Sequence, residues 1–289
     1  MSAEDVFAAH RPLLFSVAYE IVGSVADAED VLQESYLRWR EVDLGTVANP
    51  RAYLARIVTR QALNALRTAS RRREEYVGPW LPEPLEAPSA DGPAEHVLTG
   101  EAVTTAMLLV LESLTPTERA VFVLREVFEF GYPEIAEAVG KSEATVRQTA
   151  HRARGHVRAR RPRAVADPAT ARDVAERFLA ATASGDVQSL MDLLAPDVVY
   201  VGDGGGVKSA ARRPVLGADR VARMMIGTLR KSGDFGEMGL RFGVFNGMPG
   251  VVVSFDRVVD LVMCVEVEGA QVTAVYVVRN PDKLSRVVG

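Results

Sequence analysis

Tyr132-Pro133-Glu134-Ile135-Ala136-Glu137-Ala138-Val139-Gly140, followed by Lys141-Ser142-Glu143-Ala144-Thr145-Val146-Arg147-Gln148, is the stretch whose reading decides the fold. It predicts a short helix ending at Gly140, then a second helix capped by Ser142 with Glu143 in its first turn. Ala136 is small where two helices cross closely. Gly140 supplies the positive φ that a sharp turn requires. Val146 plugs the interface from the second helix. Upstream, Thr115-Pro116-Thr117-Glu118 opens another helix, with Thr115 as N-cap, proline in the first helical position and Glu118 placed for a capping box. Three helices in this order make a helix-turn-helix.

The second helix of such a unit lies in the DNA major groove. Here it places Arg147, Gln148, His151 and Arg152 on one face by their spacing. Arginine reads guanine bidentately and glutamine reads adenine, while further arginines, Arg154 among them, hold phosphates. The alternative, an arginine-rich helix face turned to water, does not account for the turn. The net charge of -4 hides two basic clusters. Arg67, Arg71, Arg72 and Arg73 form one; Lys141, Arg147, Arg152, Arg154, Arg158, Arg160, Arg161 and Arg163 form the other. Between them, Glu74 to Glu101 is acidic and proline-rich, so the local fields differ in sign.

The 289 residues imply two or three domains, and 48% hydrophobic with 25% charged residues allows each a buried core. No apolar run approaches the roughly 18–20 residues that span a bilayer, and the N-terminus is acidic and mixed, unlike a signal peptide. The single cysteine, Cys264, lies in an apolar run and reads as a small buried hydrophobe. It excludes an intramolecular disulfide and a cysteine-rich zinc site. The expectation is a cytoplasmic protein with no membrane partner.

Glu4 to Arg73 reads as helices, with Val6, Phe7, Leu13, Leu14, Val17 and Ile21, then Val31, Leu32, Tyr36 and Leu37, at near-helical spacing. Ser24 or Asp27 opens the second helix, and Asn49-Pro50 opens a third that runs to about Arg73. Pro79, Pro82, Pro84, Pro88 and Pro93 make the next stretch a linker. Tyr76, Trp80, Leu81 and Leu85 within it predict that it docks on a domain. Helix resumes from Glu95 to Arg161. Past Asp167, two short helices (169–184 and 186–194), a strand (198–201), Gly204-Gly205-Gly206 and a helix (218–230) lead into strands at 239–246, 251–259, 261–268 and 272–279. The turns between those strands are placed at Gly247-Met248-Pro249-Gly250 and Gly269. Helices followed by a strand meander predict an α+β domain.

Asp27-Ala28-Glu29-Asp30-Val31-Leu32-Gln33-Glu34 with Leu37-Arg38-Trp39 resembles the segment with which sigma factors grip the clamp helices of RNA polymerase. Asn49-Pro50-Arg51-Ala52-Tyr53-Leu54, Arg56, Thr59 and Asn64 resemble the helix that reads the minus-ten promoter element, and residues 115–161 resemble the minus-thirty-five reader. The order and spacing of all three point to the sigma factors of the small extracytoplasmic-function type. The resemblance implies core-polymerase contacts by Asp27, Glu29, Asp30, Gln33, Glu34 and Leu37. It implies minus-ten contacts by Arg51, Tyr53, Arg56, Thr59, Arg60, Asn64 and Arg67, and minus-thirty-five contacts by Arg147, Gln148, His151, Arg152 and Arg154. An acidic helix face suits a basic partner, and opened single strands are held by aromatics and short polar groups.

Trp80-Leu81-Pro82-Glu83-Pro84, Asp203-Gly204-Gly205-Gly206 and Asn280-Pro281-Asp282-Lys283-Leu284 resemble three motifs of the subgroup with a fused SnoaL-like extension, the sigma-J-like group. One departure is visible: Val207 stands between the glycines and Lys208, where the group carries lysine directly after the glycines. The expected architecture is therefore multidomain. Two all-α sigma domains, the second a helix-turn-helix, precede an α+β SnoaL-like cone with a curved antiparallel sheet. The expected boundaries are 1–75, linker 76–98, 99–163 and 168–289. The implied partners are the RNA polymerase core enzyme and promoter DNA, with regulation in cis through Trp80, Leu81, Asp203, Asn280, Asp282 and Lys283.

The cone fold also hosts ketosteroid isomerases and polyketide cyclases, so fold alone does not decide activity. All four histidines (His10, His96, His151, His156) precede the domain, which leaves no imidazole base or histidine metal site there. Asp203, Asp256, Asp260, Glu266, Tyr200 and Tyr276 are the remaining acid–base groups, and no pair stands out. The expectation is no enzyme, no cofactor and no metal, with a small ligand in the cone still open. The alternative is a helix-turn-helix regulator fused to a ligand-sensing or isomerase-like domain.

Overall fold

The computed structural model describes residues 2–87, 104–160, 166–232 and 236–288. The side chains of Arg71, Arg72, Arg73 and Arg160, all of Arg161 and Arg163, and the expected linker positions 88–98 lie outside the described residues. The chain divides into two compact units: Met1–Glu75 with Ala87–Arg161, and Tyr76–Glu86 with Pro162–Gly289.

The first unit is helical. α1 (Ala3–Val22), α2 (Val25–Trp39) and α3 (Pro50–Glu74) pack through Leu14, Val17, Ile21, Leu32, Leu54, Val58 and Ala62, all buried. Ser24 caps α2, its hydroxyl accepting from the Asp27 N–H at 3.2 Å, so Ser24 rather than Asp27 opens the helix. Asn49 caps α3, accepting from the Ala52 N–H at 3.2 Å. α4 (Thr105–Glu112), α5 (Pro116–Phe122), a π-helical turn (Val123–Val127), α6 (Tyr132–Val139) and α7 (Glu143–Arg160) follow. The Thr115–Glu118 capping box forms at the start of α5. Gly140 ends α6 at φ 67°, and the Thr145 N–H donates to Ser142 Oγ at 3.3 Å, opening α7. Val146, Ala150, Ala153 and Val157 bury one stripe of α7, with Ile135 and Ala138 buried on α6 and Ala136 only partly covered. Buried Arg119 ties α5 to α1 by donating to the Glu20 carbonyl at 3.1 Å, and it pairs with Glu112.

The second unit is α+β. α8 (Pro168–Ser184), α9 (Val187–Leu193), β1 (Leu194–Asp203), β2 (Val215–Leu216) and α10 (Ala218–Ser232) precede β3 (Met238–Phe245), β4 (Met248–Phe255), β5 (Val258–Glu268), β6 (Gln271–Val278) and α11 (Pro281–Leu284). The strand order is β2-β1-β6-β5-β4-β3. The sheet is mixed rather than purely antiparallel, because β6 runs parallel to β1 while every other pairing is antiparallel. The reason is the long excursion through α10 and β3–β5, which returns the chain beside β1 in its original direction. Register shifts at Leu194/Val199, Val253/Ser254 and Glu266/Val267 bend the strands.

One sheet face packs on α8, α9 and α10, where Phe178, Leu190 and Val221 meet Val251, Val265 and Val275. Each such side chain fully buried contributes about 1.5–3 kcal/mol before entropy is subtracted. By alternation, Asp203, Val252, Val262, Cys264, Glu266, Tyr276 and Val278 occupy the opposite face. Those seven are buried too. Cys264 is a free thiol pushed up to about 12 by burial.

Candidate functional site

Asp203 ends β1 on that second face and is fully buried. Its carbonyl accepts the N–H groups of Arg279 and Asn280 at 2.7 and 3.1 Å. Its carboxylate gathers four donors. Oδ1 accepts from the Tyr76 hydroxyl at 2.5 Å and the Gly205 N–H at 3.1 Å. Oδ2 accepts from the Leu81 N–H at 2.9 Å and the Lys283 ammonium at 2.7 Å. Lys283, itself buried, also donates to the Leu81 carbonyl at 2.5 Å. Its charge lies 4.1 Å from the centre of the Trp80 ring and 5.0 Å from that of Tyr76. Asn280 donates to the Tyr76 oxygen at 2.8 Å and caps α11 by accepting from the Asp282 N–H at 3.1 Å. Burial and the Asp203 charge hold the Tyr76 hydroxyl well above its ordinary pKa, so it stays a donor.

This network is a latch that fixes the segment after α3 to the second unit. Five of the six residues expected to make regulatory contacts converge in it: Trp80, Leu81, Asp203, Asn280 and Lys283. Asp282 does not; its side chain is exposed and only its backbone joins the α11 cap. The glycine run is needed for close approach. At Gly205, with φ +61°, an added Cβ meets the Asn280 side chain at 2.5 Å. The displaced Lys208 turns elsewhere, pairing with Asp260 at 3.0 Å.

The segment is held at a second point that sequence reasoning missed. Asn246, buried at φ 46°, accepts from the Leu85 N–H at 3.1 Å, donates through Nδ2 to the Glu83 carbonyl at 3.3 Å, and donates its own N–H to the Leu85 carbonyl at 2.8 Å. Glu86 forms an antiparallel bridge with Phe245 on the edge strand β3 and pairs with Arg241, Oε2 to Nη2 at 3.0 Å. The only sequence signal for Asn246 was Asn-Gly at 246–247, a two-residue hairpin turn with both φ positive.

In the first unit, Asp30, Gln33, Glu34 and Leu37 are exposed at i, i+3, i+4 and i+7 on α2. Leu37, 50% exposed, adds an apolar residue at the C-terminal end of this acidic face. Asp27 sits half-buried in the first turn, and Glu29 turns to Arg11, pairing at 2.7 Å. Glu34 pairs with Arg38 along the helix at 3.1 Å.

The basic face of α3 meets the helix-turn-helix. Arg51 donates to the Phe128 carbonyl at 3.1 Å and lies 4.2 Å over the Phe130 ring. Arg56 pairs with Glu137 at 3.1 Å and covers Tyr53, which also packs on Trp39 at 5.7 Å. Arg60 donates to the Glu137 and Ala138 carbonyls at 2.8 and 3.4 Å, at the C-terminal end of α6 where backbone dipoles favour a cation. Asn64 and Arg67 are exposed. Thr59 does not fit a DNA contact: it is fully buried, on the inward stripe with Ala55, Val58, Ala62 and Leu66. Its hydroxyl has no hydrogen-bond partner among the described residues.

On α7, Arg147, Gln148, His151 and Arg152 are exposed opposite the buried stripe. Arg147 lies 4.3 Å over Tyr132 and pairs with Glu143, and Arg152 reaches Glu118 at 3.5 Å. Arg154 sits at the edge of the face, 3.8 Å from Glu126.

Among the described residues no helix is long and apolar enough to cross a membrane, and no cluster of three or more His, Cys, Asp or Glu could hold a metal ion. The remaining acid–base carboxylates named from the sequence, Asp256, Asp260 and Glu266, are engaged. Asp260 pairs with Arg279 at 2.7 Å, Glu266 accepts from the Tyr276 hydroxyl at 3.3 Å, and Asp256, in a turn at φ 48°, accepts from the Glu237 N–H at 3.0 Å.

Residues 6–72 match the Sigma-70 region 2 family, and residues 104–157 match the Sigma-70, region 4 family. The chain is 39% identical over 289 residues to ECF RNA polymerase sigma factor SigJ of Mycobacterium tuberculosis, covering 96% of this chain and 92% of that one. It is 32% identical over 278 residues to the probable ECF RNA polymerase sigma factor SigI of the same organism, with 96% and 92% covered. The crystal structure of the Mycobacterium tuberculosis extracytoplasmic function sigma factor SigJ superposes with a TM-score of 0.79 at 35% identity, covering 96% of this chain and 97% of that one.

Proposed function

The chain belongs to the extracytoplasmic-function (ECF) RNA polymerase sigma factors, and from that premise we propose that it directs core polymerase to promoters under control of its own C-terminal unit. Residues 1–75 take the core enzyme and the minus-ten element. Residues 99–163 take the minus-thirty-five element, and residues 168–289 regulate. The acidic face of α2, ending at Leu37, supplies the core contact. Arg51, Tyr53, Arg56, Arg60, Asn64 and Arg67 on α3 serve the minus-ten strand, with the arginines on its phosphates. Arg147, Gln148, His151 and Arg152 on α7 read the upstream duplex, and Arg154 braces its backbone.

The observation that carries the regulatory half is the buried Lys283–Asp203 pair at 2.7 Å, which holds the segment joining the two promoter readers. While the latch is closed, Tyr76–Glu86 belongs to the C-terminal unit and adds nothing to the reach between readers. Opening it lengthens the free linker by at most about 3.3–3.6 Å per residue released. The contacts of Arg51, Arg56 and Arg60 with α6 and its flanks must also part before those arginines turn to DNA. Regulation rather than catalysis is supported by the carboxylates: Asp260, which lines a largely apolar cavity between α8, α10 and the sheet, is committed to Lys208 and Arg279. That cavity is where a small ligand would act.

Run-off transcription by purified core polymerase, with and without the chain, on promoters selected from a random library tests this reading. Transcripts that require the chain are expected, with Glu34→Lys weakening core association and Arg147→Ala blunting upstream selectivity. Equal transcription without the chain refutes it.

A further inference from the structure

β3 ends the sheet, and its outer side has no partner strand among the described residues beyond a single bridge at Phe245. Natural proteins blunt such edges with charge, proline or a bulge. β3 carries no proline, and its register with β4 runs unbroken from Met238 to Phe245. Its one charge, Arg241, is paired with Glu86 on the face away from the helices. On the helix side Met238, Leu240 and Phe242 follow one another at alternate positions, 41, 44 and 55% exposed. Among the described residues no other element exposes three large apolar side chains in succession. Such a face invites a partner.

The backbone of this edge already pairs at one end. Asn246, just past β3, turns its N–H outward to the Leu85 carbonyl at 2.8 Å, where Glu86 bridges Phe245. Outward and inward groups alternate by residue in an antiparallel ladder. Phe242, Leu240 and Met238 therefore also turn N–H and C=O outward, and those groups meet no strand among the described residues. The segment before Ala87 takes the Phe245 end of the edge and leaves the Met238 end open.

The open part is complementary to itself. In an antiparallel self-pair centred on Leu240, Leu240 faces its counterpart and Met238 faces the partner's Phe242, all on one side of the sheet. Each of these pairs exchanges both N–H···O bonds, because both members turn their backbone groups outward. Thioether meets ring, a favourable contact, and leucine meets leucine. On the other side Arg241 meets the partner's Gly239, which has no side chain to oppose it. Glu86 neutralises each Arg241, so the two-fold brings no uncompensated like charges together. Other registers fit less well. Centring on Phe242 sets Met238 against the partner's Asn246, whose edge Leu85 occupies, and centring on Met238 leaves Phe242 beyond the partner's strand.

We propose that the free chain self-associates through β3, as a two-fold dimer whose two sheets continue across facing Leu240 residues. The occupant of the edge is a second copy of this chain, because one strand supplies both halves of the match.

Sedimentation velocity of the full-length chain from about 1 to 500 µM covers the range in which so short a contact assembles. The mass is expected to rise from that of one chain toward that of two. Leu240→Lys sets two ammonium groups face to face and should hold the chain monomeric throughout; the position is 44% exposed, so the core is left intact. Leu240→Cys, mildly oxidised at the high concentration, should give a disulfide-linked dimer, since facing Cα atoms in such a pair lie about 5.5 Å apart. Val258→Cys, 70% exposed on β5, and the parent, with its buried Cys264, should stay unlinked. A parent monomeric across the whole range overturns the proposal. So does association of Leu240→Lys like the parent, or linkage of Leu240→Cys no faster than Val258→Cys.

Discussion

Lys283→Met removes the one cation that the buried Asp203 carboxylate faces in the latch. Lys283 is one-tenth exposed and Asp203 not at all, so no water replaces the lost partner in the closed state. Deleting one member of a buried ion pair costs about 3–5 kcal/mol, because the other charge is stranded. Here Asp203 keeps three hydrogen bonds, from Tyr76, Leu81 and Gly205. The low end, about 3 kcal/mol, is therefore expected, and at about 1.4 kcal/mol per tenfold it makes latch opening roughly 100-fold more frequent. The Leu81 N–H, bonded to Asp203 Oδ2 at 2.9 Å, reports that opening directly. Its exchange with solvent deuterium, followed by NMR or mass spectrometry, should accelerate roughly 100-fold, while amides of α1 in the other unit keep their protection. Lys283→Met with Asp203→Asn removes both charges and should recover most of the protection. A Leu81 rate within about threefold of the parent in the single variant refutes a latch held by this pair.

Asn246→Gly keeps the positive φ of 46° available but removes the side-chain bonds to Leu85 and Glu83; loss of roughly 1–3 kcal/mol and faster Leu85 exchange are expected by the same measurement. Glu266 is held above the ordinary carboxylate range by burial, opposed by the Tyr276 hydroxyl. The folded state thus favours its protonated form, so its contribution to stability is complete below the ordinary Glu pKa of about 4.3 and is lost as pH rises through the raised folded value. Glu266→Gln should therefore raise the melting temperature at about pH 8 and lose that advantage near pH 4, read by calorimetry. The Arg56–Glu137 pair is half in solvent and worth about 0.2–1 kcal/mol, so Glu137→Ala should barely alter stability. It should tighten binding of a single-stranded minus-ten oligonucleotide roughly two- to fivefold by anisotropy, since it frees Arg56. Unchanged or weaker binding contradicts the reading of this contact.

Much of the site was legible because local chemistry marks it. Gly140 and Ser142 announce a turn that few other residues can make, and both take the conformations their types predict. Trp80 stood out because a plain spacer has no use for it, whereas Lys283 and the glycine run stood out through their resemblance to motifs of the sigma-J-like group. Other features escaped because their causes are remote in sequence. Tyr76 is legible as a docking residue but its partner Asp203, 127 residues away, is not, and Asn246 sits in no pattern that names Leu85, 161 residues away. The parallel β1–β6 pairing follows from where the chain returns, which strand periodicity does not encode. The turn at Asp256-Arg257, both at positive φ, lacks glycine, so nothing in the residue types separates it from the flanking strands, and β5 begins at Val258, earlier than the alternation predicts. Thr59 is different: its spacing with Ala55, Val58, Ala62 and Leu66 puts it on the inward stripe, and position overrides the DNA-binding chemistry of its hydroxyl.

The central claim, a sigma factor controlled in cis through its linker, is tested most directly by single-round transcription with core polymerase and a selected promoter. The parent chain and Lys283→Met would be compared at equal occupancy of core. The latch account predicts that both assemble with core equally and that the variant changes the rate of open-complex formation. Equal rates for the two chains, with Leu81 exchange accelerated in the variant, would contradict it.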